Sequence, residues 1–129
     1  MSWPLRFLKG GLEGQPGRIG DAYYAPWLLT TPMQSQVLSK KYRECWASSR
    51  PPIVIIVPSL ARFCVDALAI GKDGPYGDGW TVSGWIDGPC NLTVSPSIHF
   101  VGSYHGWLKD GMLSDDIDGR VYDADGFER

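Results

Sequence analysis

The sequence predicts an α+β, β-rich domain with a small mixed or antiparallel sheet, one main helix and a long ordered N-terminal loop region. Glycine (16 residues) and proline (10) are numerous in the 129 residues, and both favour turns over long helices. Ile53–Val57 is an unbroken β-branched run between prolines, which is typical of a strand buried on both faces. A chain of this length can bury one core, so we expect a single domain over residues 1–129.

The main helix is predicted over Ser39–Ser48. Ser39 can cap its N terminus, and Tyr42 and Trp46 recur four residues apart on one helical face. The prolines at positions 51 and 52 end the helical pattern. We therefore expect this helix to pack on one face of the sheet through Tyr42 and Trp46.

The remaining chain is divided by turn residues. Residues 1–37 are rich in glycine, proline and aromatic residues without a helical or alternating period, which predicts loops packed on the core by their rings. Residues 115–129 are rich in aspartate and predict an acidic tail that frays. Further strands are predicted at Arg62–Ala69, Trp80–Ile86, Asn91–His99 and Tyr104–Leu108.

Composition excludes several function classes. The formal charge of −2 gives no general attraction to nucleic acid, and no apolar run approaches the length of a membrane span. Three widely spaced cysteines, at positions 45, 64 and 90, suit free thiols in a reducing compartment, so a cytoplasmic location is expected. No metal or other cofactor is expected, and the oligomeric state stays open.

Ser97 and His105 are the residues on which catalytic chemistry is predicted. If residues 99–103 form a hairpin loop centred on Val101, Ser97 lies opposite His105, with Cβ atoms about 4.5–5.5 Å apart. A neutral imidazole in that position can accept the serine proton and activate the hydroxyl as a nucleophile. Pro96 has no amide hydrogen and fits a bulge that would lift Ser97 out of the regular ladder.

A carboxylate is predicted on the far side of His105. A three-residue turn over Lys109–Gly111 places Asp115 opposite His105, whereas a two-residue turn places Asp116 there. Either carboxylate would fix the imidazole tautomer and stabilise the imidazolium, as in catalytic triads. The sequence leaves both alternatives open.

Each candidate also has a simpler interpretation. A serine and a histidine that face each other on a half-exposed hairpin are more often an ordinary polar pair than a catalytic dyad. His99 is either a second base or ligand or a solvent-facing loop residue. Cys64 lies in an apolar strand pattern and is expected in the core, and the aspartate-rich stretches lack the full ligand spacing of a calcium loop.

Three segments of the chain carry a family resemblance: Gly79–Gly84, Leu92–Ile98 and Ser103–Gly111. They resemble a family of small phage and bacterial proteins, whose phage members are often mislabelled "ammonia monooxygenase". The family hallmark is a Pro-Ser-Ile turn followed by a Ser-His or Tyr-His pair, an aromatic residue and a glycine turn. A further similarity at Leu38–Pro58 extends the match to about the last two thirds of the chain.

The resemblance implies a serine peptidase. Bacterial relatives occur beside ubiquitin-like conjugation genes and are similar to peptidases that trim or remove the ubiquitin-like protein. It therefore implies Ser97 as nucleophile, His105 as base, a protein substrate and, for a phage-encoded chain, the host cytoplasm. The alternative is a non-catalytic phage accessory or counter-defence protein that binds a host protein through its aromatic N-terminal half.

Overall fold

The computed structural model describes residues 2–30, 38–39, 42, 50–68, 80–88, 90–100, 102–123 and 125–129. These residues form short strands and a single-turn helix, so the β-rich class predicted from the sequence is confirmed. The elements are β1 (Trp3–Pro4), β2 (Arg6–Phe7), β3 (Asp21–Tyr24), α1 (Trp27–Thr30), β4 (Ile53–Ile56), β5 (Arg62–Cys64), β6 (Thr81–Ser83), β7 (Thr93–Phe100), β8 (Tyr104–Lys109) and β9 (Met112–Leu113).

The strands form two sheets. One has five antiparallel strands in the order β1-β9-β8-β7-β6. The other has four strands in the order β2-β3-β4-β5, in which β2 and β3 are parallel and the other pairs antiparallel. Only Leu5 separates β1 from β2, and its amide donates to the Gly111 carbonyl (2.8 Å), so the chain changes sheets at this residue.

The two sheets share one hydrophobic cluster. All four residues of β4 are buried, and β4 lies between β3 and β5, as the β-branched run predicts. Ile55 of the four-stranded sheet belongs to the same cluster as Val94, Ile98 and Leu108 of the five-stranded sheet. Removing these apolar side chains from water is the main source of stability for such short strands.

The prediction of a long N-terminal loop region is wrong. The first 30 residues contain β1, β2, β3 and α1, and Asp21, Ala22 and Tyr23 are buried in the interior strand β3. A two-residue strand is too short to display a period. In β3, burial on both faces removes the apolar-polar alternation that identifies a half-exposed strand.

The helix predicted over Ser39–Ser48 falls mostly outside the described residues, as does Trp46. The amide of Tyr42 donates to Ser39 Oγ (3.1 Å), which is the capping bond expected of Ser39. Tyr42 is itself helical, but α1 is the one helix whose bounds the described residues give, so the predicted main helix is not borne out by them. No helix within the described residues is long and apolar enough to cross a membrane.

Two predicted strands are shorter than expected. The strand predicted over Arg62–Ala69 ends at Cys64, and Ala67 forms only an isolated bridge with Leu38. The strand predicted over Trp80–Ile86 is reduced to Thr81–Ser83, followed by Gly84 at φ +82°. In both segments a turn ends the strand before the apolar-polar alternation of the sequence ends.

The C-terminal residues pack against the body of the molecule, in contrast to the fraying expected of an acidic tail. Tyr122 is 4% exposed, meets the Trp3 ring edge-on and bridges to Glu128. Asp123 Oδ1 accepts bonds from the amides of Asp125 (2.9 Å) and Phe127 (3.0 Å). Aspartates here serve as hydrogen-bond acceptors of turns, a use that composition does not distinguish from a solvated charge run.

Cys64 and Cys90 are free thiols, and Cys45 lies outside the described residues. Burial, with a further contribution from the Asp66 carboxylate, raises the pKa of the Cys64 thiol to about 12. A thiol with this pKa carries almost no thiolate near neutral pH, so Cys64 behaves as a core residue, as the sequence indicates.

Candidate functional site

The hairpin of β7 and β8 does not have the predicted register. His99 pairs with His105 and Phe100 with Tyr104, whereas the prediction placed Ser97 opposite His105. The turn therefore spans residues 101–103 and is closed by the Ser103 amide, which donates to the Phe100 carbonyl (2.9 Å). Compared with the predicted five-residue loop, the shorter turn adds His99 and Phe100 to β7 and leaves the start of β8 at Tyr104, so the register shifts by two residues.

A bulge in β7 restores the contact that the predicted register would have made. Between the pairs Val94–Leu108 and Ile98–Gly106, three residues of β7 oppose one residue of β8, at the position of Pro96, where a bulge was expected. The indole N–H of Trp80 donates to the Ser97 carbonyl (3.1 Å) and holds the bulged backbone. Ser97 Oγ lies 3.0 Å from His105 Nε2, so the two side chains meet although their backbones are not paired.

The imidazole of His105 is also engaged on its other side. Its Nδ1 lies 3.2 Å from Asp118 Oδ1. An ionised carboxylate only accepts hydrogen bonds, so Nδ1 carries the hydrogen, and the neutral ring offers the lone pair of Nε2 to the Ser97 hydroxyl. We call Ser97, His105 and Asp118 the polar row.

The polar row is accessible from solvent. The His105 side chain is 24% exposed and that of Asp118 is 42% exposed, while Ser97 is half-buried. This combination of order and access suits a site that receives a ligand, because a fully buried row would exclude one.

The third member of the row is a residue that the sequence did not single out. Lys109 pairs with Met112 around a two-residue turn, with positive φ at Asp110 (49°) and Gly111 (75°). This is the register that brings Asp116 beside His105. However, Asp116 Oδ2 accepts the backbone amide of His105 (3.1 Å), and the carboxylate at the ring is Asp118. Catalytic roles for Asp115 and Asp116 stay predictions.

Asp116 holds the turn that carries Asp118. Its side chain is fully buried and accepts bonds from Arg120 Nη1 (3.0 Å) and from the Asp118 amide (2.7 Å). Burial alone would raise the pKa of the Asp116 carboxyl, but the bonds from Arg120 and from backbone amides outweigh it and hold the pKa below its ordinary value. Arg120 also lies 3.4 Å from Asp118 Oδ2. Asp116 and Arg120 are therefore positioning residues for Asp118.

His99 also lies elsewhere than the sequence predicted, because it belongs to β7 and not to the hairpin loop. Its ring stacks on that of His105, with centroids 4.3 Å apart and planes 22° from parallel. One ligand atom from each of His99, His105 and Asp118 lies within 4.8 Å of the others. Taking the single glycine at 102 as the centre of a three-residue turn would have found this pair, since it places His99 opposite His105.

A cleft of about 450 Å³ lies on the β6 side of the site. Trp80 lines the cleft and also bonds the Ser97 carbonyl, so it connects the two features. β6 is at one edge of the five-stranded sheet. The other lining residues include Tyr24, Arg50, Asp66, Val82 and Trp85.

Aromatic residues of the N-terminal half are mostly packed. Trp3, Phe7 and Tyr24 are half-buried against the main cluster, and Tyr23 is buried. Among the described aromatic residues of that half, only Trp27 has an exposed side chain (48%). An extended aromatic surface is therefore not formed by this part of the described chain.

Comparison of the chain with protein-family models, with curated proteins and with solved structures found no match. The family resemblance suggested by the sequence thus stays a prediction. The arrangement of the polar row is the feature from which function can be argued.

Proposed function

We propose that this protein is a serine hydrolase of the peptidase type, in which Ser97 is the nucleophile, His105 the general base and Asp118 the residue that orients His105. The observation that carries the proposal is the continuous contact from Ser97 Oγ to His105 Nε2 (3.0 Å) and from His105 Nδ1 to Asp118 Oδ1 (3.2 Å). Nucleophile, base and orienting carboxylate in one hydrogen-bonded row are the parts that acyl transfer requires.

The reaction follows from the directions of these hydrogen bonds. Ser97 Oγ attacks the substrate carbonyl carbon while its proton passes to His105 Nε2. Asp118 stabilises the resulting imidazolium through the Nδ1–H bond, and the imidazolium then protonates the departing amine. The acyl group left on Ser97 is released by a water molecule whose proton goes to His105 in the same way.

Asp118 takes the role that the sequence offered to Asp115 or Asp116. Arg120 and the Asp116-stabilised turn limit the motion of the Asp118 carboxylate. Because a catalytic base must be held in one tautomer and one orientation, this fixed placement supports the assignment of Asp118 as the orienting residue.

The substrate class that we propose is an extended protein tail, such as that of a ubiquitin-like protein. Exposed edge strands accept extended peptides as an additional strand, and β6 offers such an edge next to the cleft. Trp80 precedes β6 and its indole bonds the Ser97 carbonyl (3.1 Å), so a tail that lies along β6 and continues over Trp80 would reach the nucleophile.

The second candidate is a non-catalytic protein that binds a host protein through its aromatic N-terminal half. The packing of Trp3, Tyr23 and Tyr24 removes most of the surface that this function would use. Because the polar row has no purpose in this alternative, we favour the hydrolase.

The test is hydrolysis of an activated ester, p-nitrophenyl acetate, followed by cleavage of peptides from an unbiased library. Ser97→Ala should reduce the rate to that of buffer, because no hydroxyl remains beside His105. Ser95→Ala is the matched control, since Ser95 is an exposed serine of the same strand, and it should keep the wild-type rate within about twofold. Equal rates for wild type and Ser97→Ala would overturn the proposal.

A further inference from the structure

We propose that His99, His105 and Asp118 form a binding site for a divalent transition-metal ion of the zinc type, and that the bound ion stops proton transfer from Ser97 to His105. The second half of this proposal rests on the proposed hydrolase function. The first half is independent of it, because Ser97 is not one of the three ligands.

The geometry of the three side chains fits a metal ion. Two imidazoles and a carboxylate suit zinc and other first-row divalent ions, and three protein ligands leave a coordination position for water. At metal–ligand distances of about 2.0–2.2 Å, ligand atoms of a tetrahedral site lie about 3.4 Å apart. The His105 Nδ1–Asp118 Oδ1 distance is already 3.2 Å, and all three ligand atoms lie within 4.8 Å of one another.

The stacked arrangement of the rings brings both imidazoles to the same side of the site. The two rings are stacked face to face, with centroids 4.3 Å apart and planes 22° from parallel. Because the nitrogen lone pairs lie in the ring planes, one ring must rotate to aim its nitrogen at a shared ion, and the ligand atoms must close from within 4.8 Å to about 3.4 Å. His99 is exposed and Asp118 is 42% exposed, so an ion can enter from solvent without opening the core.

The surrounding charges favour a cation. Arg120 is the nearest guanidinium, but it is paired with Asp116 (3.0 Å) and also approaches Glu128 (4.0 Å). The three carboxylates of Asp116, Asp118 and Glu128 exceed the single charge of Arg120, which leaves a negative site. Arg120 also contacts Asp118 Oδ2, so it can orient the free side of a metal-binding carboxylate.

Metal binding would remove the base from the polar row. If the ion takes Nδ1 of His105, the hydrogen of Nδ1 moves through solvent to Nε2, which then donates to Ser97 Oγ and cannot accept its proton. If the ion takes Nε2, it displaces Ser97 directly. In both cases the neutral ring has no lone pair left for the serine proton, so zinc should inhibit hydrolysis.

The direct test measures Zn²⁺ binding by competition with a chromogenic chelator, and Co²⁺ binding by the visible absorption of the protein-bound ion. The wild type and Ser97→Ala should each bind one ion with the same affinity. His99→Phe keeps a ring stacked on His105 but removes a ligand, and we expect its affinity to fall by about 100-fold or more. Equal affinity in His99→Phe and wild type would overturn the site.

A second measurement does not depend on the folding of a variant. The chain has two histidines, so ¹H–¹⁵N spectra of the imidazole nitrogens contain signals of His99 and His105 only. Addition of Zn²⁺ to the wild type should shift a nitrogen of both rings, and a shift of neither ring would contradict the proposed ligand set.

Inhibition by Zn²⁺ is tested by a separate measurement. Zn²⁺ should stop ester hydrolysis by the wild type, with recovery after addition of EDTA. The rate of His99→Phe, whatever its level with EDTA present, should be the same with and without that concentration of Zn²⁺. Activation by Zn²⁺ would overturn the inhibitory role. If no form hydrolyses the ester with EDTA present, the proposed function fails, whereas the binding measurements still decide the metal site.

Discussion

Two aspartates of the molecule differ in burial and in their hydrogen-bond partners. One is Asp66, which pairs with Arg50 beside the four-stranded sheet, and the other is Asp118 of the polar row. Asp66 is 4% exposed and receives both Arg50 nitrogens (2.8 and 3.1 Å) and the Ile53 amide (3.1 Å). Asp118 is 42% exposed and contacts His105 and Arg120 at 3.2 and 3.4 Å. The first carboxylate borders the cleft but is almost completely buried and accepts three hydrogen bonds. The second keeps the solvent access that the proposed catalysis requires.

The difference shows how a polar group can be assigned to stability or to function. A buried carboxylate that accepts a bidentate guanidinium and an amide has little capacity left for a ligand. Removal of its cationic partner leaves an unpaired charge in the interior. A row of partly exposed groups with ordered hydrogen-bond directions contributes little to stability, but it can move a proton. Substitutions in the two regions should therefore change different observables.

Asp118→Asn should have the largest effect, and it should be on activity. A carboxamide can donate to Nδ1 and favour the tautomer with hydrogen on Nε2, which cannot accept the Ser97 proton. We expect kcat/KM for ester hydrolysis to fall by about 10²- to 10⁴-fold, with little change in thermal midpoint. Asp125→Asn makes the same charge change at an exposed residue and should stay near wild type. An equal loss in both variants would contradict a specific role for Asp118.

Arg50→Ala should have the largest effect on stability. It leaves the buried Asp66 carboxylate without its cation and should lower the free energy of unfolding by about 3 kcal/mol or more, measured by urea denaturation. Arg6→Ala is the comparison, because Arg6 also pairs with a buried aspartate, Asp21, but its side chain is 58% exposed.

We expect the Arg6 variant to lose about 1 kcal/mol or less, since water can replace an exposed guanidinium and the Arg18 amide still bonds Asp21 (2.9 Å). Equal losses in the two variants would remove the distinction between buried and exposed partners.

Acid should weaken the C-terminal turn through Asp116. The pKa of this carboxyl is lower in the folded protein than its ordinary value of 3.8, so the contribution of Asp116 to stability is complete above pH 3.8. It is lost as the pH falls below 3.8 through the lower folded-state pKa. Unfolding measured between pH 5 and pH 2 should show a smaller loss of stability for Asp116→Asn than for wild type, and parallel curves would contradict this linkage.

Much of the fold followed from the sequence where a pattern was long enough to be read. The β-branched run at Ile53–Val57 identified a buried interior strand, and Lys109–Gly111 identified a hairpin turn, although the sequence did not decide between its two registers. Strands of two residues, such as β1 and β9, have no readable period. The strand β1 exists through its pairing with β9, which is distant in sequence, so local pattern could not predict it.

The sequence predicted only part of the candidate site, and the reason is physical. The sequence identified Ser97 and His105 but assumed direct opposition, whereas a shorter turn and a bulge at Pro96 together produce the contact. Asp118 was missed because the chain leaves the strand and returns in a turn organised by Asp116. Strand register predicts which residues are opposite, but it does not predict where a side chain beyond the strand will lie.

The most direct test of the central claim is to locate a covalent adduct on Ser97. The protein is treated with a fluorophosphonate probe in the presence of EDTA and digested, and the modified residue is identified by tandem mass spectrometry. We expect one adduct per chain, on Ser97, and its loss in His105→Ala with the thermal midpoint nearly unchanged. An adduct on a different serine, or no adduct on the folded wild-type protein, would contradict the account.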